Sequence, residues 1–189
     1  MFRGNIFSII TQMGKTLESY LRYERAQALD IDQLKRMVSR SGLRFVDWVN
    51  FRGHTLHQLL QNSTGAVLLL DHKGADVGHY VLFHKVGNHV EYFDSYGLAP
   101  DRLVSILQFD DKDTHRYLNI VKDTKKHYHR LQERRADINT CGRYAVMRYN
   151  VGFFSYEQFV SMLHHGSLHP DDVVTMLTMS PDLAHWKGH

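Results

Sequence analysis

Gly78-His79-Tyr80-Val81-Leu82-Phe83-His84-Lys85-Val86-Gly87-Asn88-His89-Val90-Glu91-Tyr92-Phe93-Asp94 is the stretch on which the fold turns. Two β-rich runs, His79 to His84 and His89 to Asp94, flank a Gly-Asn pair, the pattern of a hairpin closed by a two-residue turn. Such a turn sets Val81 opposite Asp94 and His79 opposite Tyr96. Side chains alternate along a strand, so His79, Val81 and Asp94 share one face. His79 and Asp94 are then diagonal neighbours, ~7–8 Å apart at Cα and within reach of a hydrogen bond. The same parity puts His84 and Glu91 together on the opposite face. Just upstream, Ala66-Val67-Leu68-Leu69-Leu70 is a continuous apolar run, as expected of a central strand buried on both sides.

Helical patterns surround this middle part. Residues 14–41 carry Leu17, Leu21, Ala28, Leu34, Met37 and Val38 at helical spacing among charges. Asp30 or Asp32 is expected to cap a second helix there, and Gly42 to end it. Leu56-His57-Gln58-Leu59-Leu60 reads as a short helix. Further helices are predicted over 100–107, after Cys141, over 156–163 and over 170–176, with Asp101 and Pro170-Asp171-Asp172 suited to helix starts. Strands grouped between helices predict an α+β fold, a central mixed or antiparallel sheet with helices on both sides. No linker divides the chain, so residues 1–189 read as one domain, with 1–31 as an N-terminal extension of unassigned role.

The chain of 189 residues is 43% apolar and 12% aromatic, enough for a sizeable core. One cysteine excludes an intramolecular disulfide framework and a multi-cysteine zinc site, and fits a reducing compartment. The net charge of +3 permits an acidic partner without requiring one. The apolar run at residues 6–10 is too short for a membrane span and lacks a cleavage site, so a soluble, non-secreted protein is expected.

That cysteine sits in Asp137-Ile138-Asn139-Thr140-Cys141-Gly142-Arg143-Tyr144. A polar run leads into a helix-forming stretch, which places the sulfur near a helix N-terminus. There unpaired N–H groups and the helix dipole favour thiolate, the nucleophile of a cysteine hydrolase. Its base must come from fourteen histidines. Both hairpin faces offer a histidine–carboxylate pair, and His79 with Asp94 lies where the strands run out into loops, as active sites tend to. Acyl transfer also needs oxyanion donors. The Cys141 N–H is one, and Gly142 is expected to leave room for the substrate carbonyl. A side-chain amide is the usual second, with Gln132, Gln108 and Asn139 as candidates.

The ordered set Gly78-His79-Tyr80, Tyr92-Phe93-Asp94-Ser95-Tyr96-Gly97, Gln132 and Thr140-Cys141-Gly142-Arg143-Tyr144 resembles the adenain and Ulp1-type cysteine proteases. Residues 34–38 with Gly42, and residues 103–109, are also similar to segments of the adenovirus maturation protease, so the resemblance spans roughly residues 32–150. It implies Cys141 as nucleophile, His79 as base, Asp94 as its orienting group and Gln132 completing the oxyanion hole. It implies no cofactor. It further implies a protease of a small double-stranded DNA virus or virophage, acting on viral capsid proteins in the virion and host cytoplasm, with a narrow cleft that favours glycine. Tyr80 stands where the family often has Trp, and the segment from Gln132 to Cys141 is longer than in adenain. A disulfide-linked activator would consume the proposed nucleophile itself. A ubiquitin- or SUMO-type isopeptidase shares the same residues and is the alternative. A non-catalytic nucleic-acid-binding module is a second. For the latter, Lys122, Lys125, Lys126, Arg130, Arg134 and Arg135 form a basic run that offers DNA a contact, or simply a solvated face. His127/His129 and His164-His165 lack the carboxylate or cysteine set that a metal site needs, and no metal is expected.

Overall fold

A computed structural model describes residues 17–71, 78–164 and 166–179, so the apolar run at residues 6–10 and His165 lie outside the described residues. Five strands, β1 Leu43–Asp47, β2 Gly65–Asp71, β3 Gly78–Val86, β4 His89–Phe93 and β5 Lys125–Lys126, form one mixed sheet in sequential order. β1 runs parallel to β2 and β5 parallel to β4, while β2, β3 and β4 are antiparallel. The fold is α+β, with helices on both faces.

Residues 17–26 are helical (α1). The remaining helices are α2 Ile31–Arg36, α3 Leu56–Leu60, α4 Pro100–Ile106, α5 Asp111–Val121, α6 Cys141–Asn150, α7 Tyr156–Leu163 and α8 Pro170–Thr178. One face of the sheet, through Leu68, Leu70, Val81, Phe83 and Tyr92, packs on α3, α4 and α5. The other, through Val67, Leu82 and Phe93, packs on α2, α6, α7 and α8. Both sides of β2 and β3 are therefore covered, which is why β2 reads as an unbroken apolar run and β3 holds Tyr80-Val81-Leu82-Phe83 at its centre.

The hairpin register is the one the turn predicts, with Leu82 opposite Phe93 and His84 opposite Glu91. The expectation for the first helices changes. Asp30 caps α2 in a box with Gln33, but the helix ends at Met37, well before Gly42. Asn150 takes over there, donating its amide to the Met37 carbonyl at 2.8 Å and accepting from the Ser39 N–H at 2.9 Å. A tertiary cap thus stops what local spacing would continue. β1, α5 and β5 go beyond the sequence reading. β1 carries Arg44 and Asp47 among its five residues at a half-buried edge, and β5 is two lysines. In α5 the buried face includes Arg116, whose guanidinium lies 3.8 Å from the Trp48 ring centroid.

Glu91, 2% exposed, gathers one guanidinium and two imidazoles on the α6 side of the sheet. Arg148 grips it in two bonds of 2.8 and 2.9 Å, His84 Nε2 stands 3.0 Å away and His127 Nε2 3.3 Å away. Burial alone would raise the Glu91 carboxyl, but these histidines and Arg148 hold it far below the ordinary range. Replacing Arg148 with Met should strand that carboxylate. Denaturant unfolding should report a loss of about 3–5 kcal/mol; a loss below ~1 kcal/mol, the worth of an ordinary surface pair, would contradict a structural role for the cluster.

Candidate active site

Where β4 ends, the chain turns back on the Asp94 side chain. Its Oδ1 accepts from the Tyr96 N–H at 2.9 Å and its Oδ2 from the Leu98 N–H at 3.0 Å. Gly97 adopts φ 62, and a Cβ there would lie 2.6 Å from the backbone of His129. Only glycine admits so close a crossing. The crossing segment is fastened to the turn, since the N–H groups of Leu131 and Gln132 both donate to the Ser95 carbonyl at 3.0 and 2.9 Å.

His79, at the start of β3, places Nε2 2.7 Å from Asp94 Oδ1, and its ring stacks on Tyr96 with centroids 4.5 Å apart. Both His79 and Asp94 are almost fully buried. Asp94 engages Nε2, so Nδ1 is the nitrogen left to face Cys141. His84 and Glu91 make the rival pair, but Arg148, two turns along α6 from Cys141, holds that carboxylate in two bonds.

Cys141 is the first residue of α6, with Thr140 as its N-cap. The helix carrying it covers the face opposite to that of Val81, so the thiol meets His79 across the strand ends. Burial lowers the affinity of His79 for a proton, yet the charge and hydrogen bond of Asp94, with the contact to Cys141, push it up to about 10. Burial likewise pushes the Cys141 thiol up, but the hydrogen bond and charge of His79 and the backbone N–H groups of Tyr80 and Gly142 bring it below its ordinary value. Both shifts favour thiolate beside imidazolium, the charge distribution of an activated cysteine nucleophile.

Gln132 is 1% exposed. Its Oε1 accepts from Ser95 Oγ at 2.7 Å, and its Nε2 donates to the Ile138 carbonyl at 3.3 Å, leaving a second N–H on the amide. It thus bridges the turn after Asp94 and the loop before Cys141. The other amides are placed elsewhere. Asn139 donates Nδ2 to the Ala26 carbonyl at 2.8 Å, and Gln108 is exposed at φ 55 in the turn that ends α4. Gly142 has a different reason from the one expected: a Cβ there would meet Leu34 at 2.8 Å and Tyr80 at 3.1 Å, so the space belongs to packing rather than to a substrate carbonyl.

Sequence reasoning missed the part played by the N-terminal extension. The carbonyls of Arg25 and Ala26 receive the N–H and amide of Asn139, and Arg143, 1% exposed, pairs with Glu24 at 2.8 Å. Glu24, Arg25 and Ala26 therefore brace the approach to the thiol. Tyr96 was also unassigned; an aromatic two residues after Asp94 was the available signal. In the basic run Lys122, Lys125, Arg130 and Arg134 are exposed, Arg135 pairs with Asp137 and Lys126 is turned onto the carbonyls of Lys122 and Thr124. His129 and His164 approach Nε2 to Nε2 at 3.4 Å, and no group of three potential metal ligands occurs among the described residues. No helix among them is long and apolar enough to cross a membrane.

No family model matches the chain. It is 30% identical over 129 residues to the uncharacterized protein V9 of Sputnik virophage, across 61% of this chain and 74% of V9. The chain belongs to this virophage protein family. That places it with a viral protein and leaves its chemistry to the residues themselves.

The depressed thiol makes a kinetic claim. Alkylation of Cys141 by iodoacetamide should have its rising limb at lower pH than free cysteine, whose pKa is about 8.5, because only thiolate reacts. His79→Ala should move that limb upward; a parental profile matching free cysteine would contradict the thiolate–imidazolium pair.

Proposed function

We propose that this protein is a cysteine endopeptidase of the adenain-like, Ulp1-related class that processes capsid and other virion proteins during particle maturation. The observation that carries this reading is the buried chain Asp94–His79–Cys141 with the sulfur on the first residue of a ten-residue helix. A carboxylate–histidine pair aimed at an ordinary structural cysteine would burden the fold with buried charge to no purpose.

In this mechanism the Cys141 thiolate attacks the scissile carbonyl carbon. The oxyanion that forms is met by the Cys141 N–H and the unused N–H of Gln132. His79, as imidazolium, gives its proton to the leaving amine, and Asp94 stabilises the positive ring until then. Neutral His79 next takes one proton from water, whose oxygen attacks the thioester; the C–S bond breaks to restore the Cys141 thiolate beside imidazolium, and the acyl fragment leaves as a carboxylic acid that loses its proton to bulk water. Cys141 is 8% exposed, and so crowded a position would suit substrates with glycine beside the cut. Lys122, Lys125, Arg130 and Arg134 are the residues through which this enzyme would hold DNA while acting on packaged proteins.

Co-expression with the capsid proteins of the virus, followed by mass spectrometry of their termini, tests the reading. New termini should appear with the parent and vanish with Cys141→Ala; cleavage that persists in the variant would exclude Cys141 as nucleophile. On one peptide substrate, Gln132→Ala should lower kcat about 10²–10³-fold, equivalent to about 2.7–4 kcal/mol, with KM little changed. A parental kcat would remove Gln132 from the oxyanion hole.

A further inference from the structure

Asp171, in the first turn of α8, is a carboxylate with 0% exposure. Its Oδ1 accepts from the Thr140 hydroxyl at 2.6 Å and its Oδ2 from the Glu133 N–H at 3.0 Å. Thr140 immediately precedes the thiol, and Glu133 immediately follows Gln132. One carboxylate therefore grips both ends of loop 133–140, the stretch that separates the amide from the nucleophile. Tyr144, one turn into α6, donates to the Leu131 carbonyl at 3.1 Å. The chain on either side of Gln132 is thus held to the helix that carries Cys141. His169 caps the start of α8, its Nδ1 accepting from the Asp171 N–H at 3.2 Å.

Packing alone does not call for a carboxylate here. Burial costs an ionised group heavily, and Asp171 is accordingly raised above its ordinary value, with the Glu133 N–H, Thr140 and His169 offsetting part of that rise. An apolar residue would fill the space at less cost. What it could not do is fix a distance between two backbone segments. Oxyanion donors act only within a few tenths of an ångström of their acceptor, and a displacement of ~1 Å is worth on the order of 10²-fold in rate. Asp171 bonds Glu133 at one end of the loop and Thr140 at the other, and so ties the two segments that carry the donors directly to each other.

We propose that Asp171 is a positioning residue that sets the spacing between the Gln132 amide and the Cys141 N–H, and with it the geometry of the oxyanion hole. This rests on the peptidase reading above.

Two reagents separate geometry from thiol reactivity without a known substrate. With p-nitrophenyl acetate, the Cys141 sulfur bonds to the carbonyl carbon, a tetrahedral oxyanion forms, and p-nitrophenolate leaves. With iodoacetamide, the sulfur displaces iodide at a saturated carbon and no oxyanion arises. Asp171→Asn, which cannot accept from both Thr140 and Glu133, should acylate roughly 10-fold or more slowly than the parent while alkylating within about 2-fold of it. Thr140→Val, which cuts only the Oδ1 arm, should show the same selectivity and serves if Asp171→Asn fails to fold. Acylation at the parental rate in the folded variants would overturn the proposal, and so would equal losses in both reactions. A parent whose Cys141 reacts with the ester no faster than free cysteine would instead overturn the peptidase reading, and this inference with it.

Discussion

The pairing of β3 with β4 through the two-residue turn at Gly87-Asn88 governs every other relation in the site. Gly87 takes a positive φ of 58 and Asn88 does not, as in a hairpin turn with glycine at its first central position. One residue more or less would turn Asp94 to the other side of the sheet. With the register as it is, Asp94 meets His79 at one end of the hairpin and Glu91 meets His84 further along it, on opposite faces. The same chain element thus carries a pair free to act on a thiol and a pair committed to structure.

Helix α6 joins the two. Its first residue is the thiol that contacts His79, and Arg148, two turns later and ~10 Å along the axis, clamps Glu91. The thiol is positioned from both ends of one rigid rod laid against one hairpin. The remaining supports converge on its N-terminus: Glu24, Arg25 and Ala26 from the N-terminal extension, Leu34 and Tyr80 filling the space at Gly142, and Asp171 from α8. A site built on element ends and braced by packed neighbours holds its geometry better than one on free loops.

Local chemistry decides which parts were legible in the sequence. The hairpin announces itself because the Gly-Asn turn and alternating faces fix both position and parity. β2 was readable from its continuous apolar run and α3 from Leu56-His57-Gln58-Leu59-Leu60, while the capping boxes of Thr55 with Gln58 and of Ser155 with Gln158 show why α3 and α7 start where they do. Cys141 could be placed at a helix start because a polar run precedes a helix-forming one. What stayed hidden depends on contacts distant in sequence. Asn150 ends α2, Asp171 reaches Thr140 and Glu133, and Arg148 reaches Glu91, and none of these pairings leaves a local pattern. Edge strands β1 and β5 owe their pairing to neighbours rather than to their own composition. Gly142 shows the limit in reverse: its need for glycine was foreseen, but the reason is a leucine more than a hundred positions away in the chain.

The central claim is that Cys141 forms a covalent acyl intermediate with a peptide-like substrate. The most direct measurement is acid-quenched peptide mapping by mass spectrometry after mixing the protein with the p-nitrophenyl ester of an N-blocked diglycine. The account predicts the diglycyl acyl mass on the peptide containing Cys141, as a thioester that hydroxylamine removes. An acyl group that forms instead on another residue, or no thioester at Cys141 while the ester is turned over, would contradict it.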